Sequence, residues 1–295
     1  MISTEPNLVL VGVNHKSTPV EIREKLAFNQ VKLEASLEHL VGYPEITENI
    51  ILSTCNRVEI YARVDNTDQG IKLLKDFICD YHGISRGSLD QYFYSYCDNQ
   101  AIEHLFRVSA SLDSMILGEA QILGQVKDAY STARASSSTG LVLNQLFEKA
   151  FNVAKKIREE TGISERGVSI SSAAVELAKK IFEDLENHSV MLVGTGEMAE
   201  LAAKHLISYG VKTVYVASRT FERAASLAQS LNGCALDFET FKEDLYRADI
   251  VITSTSAPNF IISKEMIEHA IHKRKNKPIF LIDIAVPRDI APDVN

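Results

Sequence analysis

The stretch Asn49-Ile50-Ile51-Leu52-Ser53-Thr54-Cys55-Asn56-Arg57-Val58-Glu59-Ile60-Tyr61-Ala62-Arg63-Val64 holds two apolar, β-branched runs separated by five small or polar residues, Ser53 to Arg57. The second run alternates, with Val58, Ile60 and Ala62 on one side and Glu59, Tyr61 and Arg63 on the other, which predicts a half-buried strand. The residues between the runs therefore sit where one strand hands over to the next, held by a rigid sheet yet within reach of solvent. A thiol beside an arginine, flanked by hydroxyl and amide groups, suits a nucleophile. The positive charge favours the thiolate, and Thr54 and Asn56 can hydrogen-bond a reacting oxygen. The same residues also read as a buried cysteine at a hairpin turn, because most free cysteines are inert core residues.

Outward from this junction, Leu8 to Val13 reads as a buried strand, Val20 to Leu40 has helical spacing, Asp68 to His82 is a second amphipathic helix, and Tyr92 to Tyr96 is an aromatic strand. The order is βαββαβ, the ferredoxin-like arrangement, which hosts many functions and names none. Helices follow from Asn99 to Thr161. His104 lies at the border of the apolar stripe of Ala101, Leu105, Val108 and Leu112, where a histidine packs at a surface or, if the fold brings it to Cys55, serves as acid, base or orienting group. Ser114 to Arg134 reads as a helix with two internal glycines, each costing about 1 kcal/mol against alanine. Ser114, Gly118, Gln121 and Gln125 would share one face, open to a polar ligand or to close helix packing. Glu119 joins that face only if the helix starts late or is distorted at Gly118. Lys149, Lys155, Lys156 and Arg158 make a basic outer face, read either as a solvated surface or as a phosphate-backbone contact.

At 295 residues two domains are expected, and 45% hydrophobic with 24% charged residues is the composition of a soluble globular chain. No run reaches membrane-span length, and the N-terminus lacks a signal peptide's basic and apolar segments. Cys55, Cys79, Cys97 and Cys234 form no CxxC pair or zinc-like spacing, so no metal is expected and the thiols are read as reduced, in the cytoplasm. A net charge of −8 gives no support to a general nucleic-acid binder, though a local basic patch stays open.

Thr161 to Gly167 is turn-rich and is read as the boundary, giving domains at 1–162 and 163–295. Beyond it, a buried strand from Ser189 runs into Gly194-Thr195-Gly196-Glu197-Met198-Ala199 and then a helix. This is a strand, GxGxxA, helix sequence, expected to bind a dinucleotide. Gly194 allows the tight turn, Gly196 lets the backbone approach a pyrophosphate, and Ala199 stands in for the third glycine. The next strand ends in Ser218-Arg219-Thr220, where an acidic residue would hold the ribose of NAD; hydroxyls and a guanidinium suit a 2′-phosphate, so NADP is expected. Asp249 to Ser256 and Pro278 to Ala285 complete a doubly wound sheet. The fold class is thus α/β: an α+β ferredoxin-like domain with added helices, then a doubly wound Rossmann-type domain.

Four motifs taken in order, Gly12 to Pro19, Ser53 to Arg57, Leu112 to Val126 and Asp283 to Asp289, resemble the glutamyl-tRNA reductase family. The resemblance implies that Cys55 attacks the ester joining glutamate to tRNA, that the thioester takes a hydride from NADPH, and that glutamate-1-semialdehyde leaves as a precursor of 5-aminolevulinate and haem. It implies substrate contacts from Thr54, Asn56, Arg57, Ser114, Glu119, Ala120, Gln121 and Gln125, with Arg57 the partner of the glutamyl carboxylate, and a role in activity for His104. Gly194, Thr195, Gly196, Glu197, Met198, Ala199, Ser218, Arg219 and Thr220 would bind NADPH. It also implies glutamyl-tRNA(Glu) as substrate, an aminomutase that takes the semialdehyde as partner, and a homodimer held by a helical C-terminal domain, near whose expected start this chain stops. A hinge at Thr161 to Gly167 is expected, because hydride transfer needs the nicotinamide within about 3–3.5 Å of the thioester carbon. The rival readings are a shikimate-dehydrogenase-like reductase of a free small molecule, which would not need Cys55, and a non-catalytic NADP-binding or tRNA-binding protein.

Overall fold

Seven consecutive buried residues form β1, Leu8–Asn14, the inner strand of a sheet completed by β2 (Ile46–Ser53), β3 (Arg57–Val64) and β4 (Tyr94–Cys97). The order is β2-β3-β1-β4, antiparallel throughout, as the βαββαβ reading requires. The computed structural model describes residues 7–28, 30–163, 170–182 and 184–294. The chain divides into units Met1–Gly167 and Val168–Asn295. Residues 164–167 of the expected boundary and hinge lie outside the described residues.

The helix expected over Val20 to Leu40 is two helices, Val20–Leu26 and Gln30–Val41. Ala27 turns extended (φ −67°, ψ 132°), and the Phe28 N–H donates to Ser53 Oγ at 3.0 Å, which draws the chain onto the end of β2. The half-buried reading of β3 is also corrected, for Glu59 and Tyr61 are as fully buried as Ile60. Helices Asn99–Ser109 and Leu141–Thr161 cover the face that was read as wet. Phe147 meets the Tyr61 ring edge-on at 5.4 Å, and His104 meets Glu59. Full burial of Phe147 contributes about 1.5–3 kcal/mol.

Helix Leu141–Thr161 starts at Gly140, which offers no side-chain cap. Its free N–H groups are met from β2: the buried Glu48 carboxylate accepts from Gly140 (2.9 Å), Val142 (3.1 Å) and Leu143 (2.7 Å). An anion at this end also complements the helix dipole. The helix expected from Ser114 begins only at Gln121 and runs to Ala135. Gly118 has φ +81°, and a Cβ there would lie 2.2 Å from the Ile163 carbonyl oxygen, so the chain cannot be helical at this point. The late start is therefore the correct alternative, and Ser114 and Gly118 share no helix face with Gln121 and Gln125.

In the second unit β5 (Ser189–Val193), β6 (Thr213–Ser218), β7 (Cys234–Asp237), β8 (Ile250–Thr253) and β9 (Phe280–Asp283) form a parallel sheet in the order β7-β6-β5-β8-β9. The strand order reverses between β5 and β8, and loops leaving both strands at their carboxyl ends meet there, where such sheets bind ligands. Among the described residues, no helix is long and apolar enough to cross a membrane.

Candidate functional site

The start of β3 carries a buried ionic cluster. Arg57 is 1% exposed, and its Nη1 donates to Glu59 Oε1 at 2.6 Å. Its Nη2 donates to the Asp113 carbonyl, and the Asp113 carboxylate lies 3.7 Å from Nη1. Glu59 further accepts from Tyr61 (2.7 Å) and Tyr94 (2.6 Å), and His104 Nε2 lies 2.8 Å from its Oε1. Burial alone would raise the Glu59 carboxyl. Arg57, His104 and the tyrosine hydroxyl of Tyr94 outweigh it and hold the carboxyl far below the usual range. Burial likewise opposes charge on Arg57, but Glu59 keeps the guanidinium charged. Asp113 is held low despite burial by Lys16 and Arg57.

Cys55 sits half-buried at the junction above this cluster. The Cys55 carbonyl accepts from Arg23 Nη1, and the Thr54 hydroxyl oxygen accepts from the Asn56 (3.2 Å) and Arg57 (3.1 Å) N–H groups, which fixes the turn. Burial raises the Cys55 thiol above its ordinary value, and Glu119 raises it further, against the opposing charges of Arg23 and Arg57. Glu119 itself is raised by burial. The segment before helix Gln121–Ala135 is tied down by Arg158 Nη2, which donates to Ser111 Oγ (3.0 Å) and to the carbonyls of Glu119 (3.3 Å) and Ala120 (3.2 Å). Ser114 Oγ and Gln121 Nε2 are buried with no hydrogen-bond partner, an arrangement suited to a polar ligand.

The second unit has a cleft of about 380 Å³ lined by Gly194, Thr195, Gly196, Ser218, Arg219, Thr220, Arg223, Phe238 and Ser254 to Ser256. Gly194 has φ +103°, and a Cβ on it or on Gly196 would lie 2.3 Å from a Ser254 oxygen, so only glycine leaves this cradle open. Helix Glu197–Ser208 starts at Gly196 with no side-chain cap, leaving its N–H groups for an anion. Beneath the cleft, the fully buried Asp289 accepts from the Thr255 N–H (2.8 Å) and hydroxyl (2.5 Å). Burial raises the Asp289 carboxyl to about 6, with neighbouring Asp283 adding to it and Thr255 opposing.

The profile described as "Glutamyl-tRNAGlu reductase, N-terminal domain" matches residues 11–161, and "Shikimate / quinate 5-dehydrogenase" matches residues 176–295. The glutamyl-tRNA reductase of Geotalea uraniireducens is 53% identical over 289 residues, spanning 98% of this chain and 67% of that protein. That of Geobacter sulfurreducens is 50% identical over the same shares. The solved glutamyl-tRNA reductase from Methanopyrus kandleri is 38% identical, with a TM-score of 0.54 over 98% of this chain and 69% of that one. The chain belongs to the glutamyl-tRNA reductase family.

Against the residues that the family resemblance singled out, the structure changes several roles. Arg57, expected to greet a substrate carboxylate, points inward and is already paired with Glu59 and Asp113. Its charge does act toward a thiolate at Cys55, as expected, but burial and Glu119 outweigh it and the thiol is raised overall. Thr54 uses its hydroxyl to build the turn, and Asn56 Oδ1 faces Arg23 Nη1 at 3.4 Å. His104 hydrogen-bonds Glu59 at 2.8 Å and lies 3.4 Å from Arg57 Nη1, within the buried cluster. Gln125 lines a separate cleft of about 430 Å³ with Phe28, Ile51 and Ser53, and Ala120 is exposed. Arg158 leaves the basic outer face, and Lys155 and Lys156 pair with Glu159 and Glu160 on their own helix.

Sequence reasoning missed Arg23, Asp113, Arg223 and Asp289. Arg23 follows the first quoted motif by four residues, Asp113 lies inside the third without an assigned role, and Arg223 stands four residues after Arg219, a cation close enough in sequence to have been flagged. Asp289 ends the last quoted motif but carried no assigned role.

Proposed function

We propose that this chain reduces glutamyl-tRNA(Glu) to glutamate-1-semialdehyde with NADPH, releasing tRNA through a thioester at Cys55. The observation that carries the reading is the half-buried Cys55 at the strand junction, in a unit of a reductase family that also leaves Ser114 Oγ and Gln121 Nε2 buried without partners. In this reading those two groups take up polar atoms of the glutamyl moiety. Arg23 and the Thr54 turn hold the Cys55 backbone. Arg57, Glu59, His104 and Asp113 form the rigid base that keeps the junction in register.

The residues of the cleft fit NADPH: glycines that leave room for a pyrophosphate, a helix start with free N–H groups, and Ser218, Arg219, Thr220 and Arg223 around the place of a 2′-phosphate. When bound, NADPH supplies the hydride that turns the thioester carbonyl into an aldehyde precursor. The first unit's task is to form the thioester, a far better hydride acceptor than a carboxylate. The same reading carries with it a cytoplasmic setting, an aminomutase as downstream partner and the family's homodimer.

The test follows NADPH oxidation with glutamyl-tRNA, free glutamate or a hydroxy acid as the only substrate. Oxidation is expected with the charged tRNA alone, and Cys55→Ser is expected to abolish both turnover and the acid-stable glutamyl adduct. Full turnover by Cys55→Ser would remove the sulfur from the reaction, and oxidation with the hydroxy acid would favour the shikimate-type alternative.

A further inference from the structure

The junction described above leaves the chemistry of Cys55 short of one participant. A thiol displaces an ester oxygen as thiolate, so its proton must go somewhere, and the released ribose oxygen must gain one. His104, the histidine singled out by family resemblance, is held by Glu59 and Arg57. Glu119 acts on the thiol through its charge, but its own carboxyl is raised by burial, and no hydrogen bond among the described residues joins it to the sulfur.

A second histidine stands at the same junction. β1 pairs with β3 as far as Asn14 opposite Arg57, and the next residue, His15, donates its backbone N–H to the Asn56 carbonyl at 2.9 Å. His15 is therefore directly across from Asn56, the neighbour of Cys55. Its Nδ1 is buried and has no hydrogen-bond partner. Arg23 and Arg57 act on the imidazole and on the thiol alike, so the two groups lie in one field.

Resting on the proposed role of Cys55, we propose that His15 is the catalytic base and acid of acyl transfer, taking the proton of the Cys55 thiol and returning it to the leaving ribose oxygen. The S–C bond forms as the thiol proton moves to the imidazole. The C–O bond to the ribose then breaks as the same proton moves to that oxygen, so no oxidant or further reactant is needed. The groups facing His15 set its resting state. Burial and the charges of Arg57, Lys16 and Arg23 lower its pKa, with Asp113 opposing, so the ring is neutral and ready to accept at neutral pH. The thiol, raised by burial and Glu119 against Arg23 and Arg57, is the protonated partner such a base requires.

The experiment is single-turnover formation of the glutamyl-enzyme from glutamyl-tRNA without NADPH, followed from pH 6 to 9. His15→Asn is expected to slow acylation about 10²-fold at pH 7, the usual worth of general base catalysis, with a rate that rises tenfold per pH unit as hydroxide replaces the base. Added imidazole is expected to restore His15→Ala, which separates a lost proton acceptor from a folding defect. Wild-type rates and pH profile in His15→Asn, or no rescue of a slowed and folded His15→Ala, would overturn the proposal. Cys55→Ser run alongside keeps the two ideas apart: an adduct in that variant defeats the nucleophile reading, whereas its loss together with an unaffected His15→Asn defeats only the assignment of the base.

Discussion

Arg57 and Arg219 occupy similar places in the two units, one opening β3 and the other following β6, and they have opposite surroundings. Arg57 is sealed in and spends its donors on Glu59 and Asp113. Arg219 is exposed at the lip of the cleft, with a 3.4 Å contact to Ser256 Oγ. A buried guanidinium needs its counter-charge to exist at all, so it serves the architecture of a site. An exposed one gives up little by turning to a ligand. In the proposed reading, the contrast lets the first unit hold Cys55 rigidly while the second accepts and releases a cofactor.

The comparison is tested most severely at Glu59. Glu59→Gln leaves Arg57 buried without its main counter-ion and should lower the unfolding free energy by about 3–5 kcal/mol, measured by urea denaturation. A loss below about 1 kcal/mol would mean that the cluster is dispensable and the contrast between the arginines is superficial.

A smaller effect is expected at the other arginine. Arg219→Ala should weaken NADPH binding about 10–100-fold, the worth of one or two charge-assisted hydrogen bonds, and leave stability within about 0.5 kcal/mol. Binding of NADPH and NADH should be titrated side by side. Equal losses for both would show that Arg219 does not meet the 2′-phosphate.

The smallest effect concerns pH, and its sign differs between the units. Glu59 is depressed in the folded chain, so its contribution is present above the ordinary carboxylate range and is lost as pH falls through its lowered value. Asp289 is raised to about 6, so its contribution is complete below the ordinary aspartate value and is lost as pH rises through about 6. The stability difference between the wild-type chain and Asp289→Asn should therefore shrink by roughly 1–2 kcal/mol from pH 4 to pH 7, while the Glu59→Gln difference stays level over pH 6 to 8. Denaturation curves of the three proteins at these pH values check both signs; a parallel drift would put Asp289 and Glu59 in the same electrostatic class.

What could be read without coordinates follows from what each feature depends on. The glycine loop, its strand and its helix are local backbone matters, and Gly194 to Ala199 announces them within six residues. The βαββαβ order likewise follows from hydrophobic periodicity and turn residues. The inward course of Arg57 depends on Glu59, His104 and Asp113 converging from separate elements, which no spacing encodes. The alternation in β3 misled for a physical reason: it distinguishes the two faces of a strand but cannot say that helices cover both. Gly118 was read as a weak point in a helix, whereas its left-handed φ and the nearby Ile163 carbonyl make it the place where a helix cannot yet begin.

Glu48 bears on how the first unit is assembled. The longest helix begins where its own sequence supplies no acceptor, and the missing acceptor comes from a strand made more than ninety residues earlier. Excised as a peptide, Leu141–Thr161 would fray at that end. During synthesis its first turn cannot be secured until β2 has found its place in the sheet, so a connection of high sequence separation governs when the helical layer locks, and the folding of this unit is paced by topology and not by helix formation.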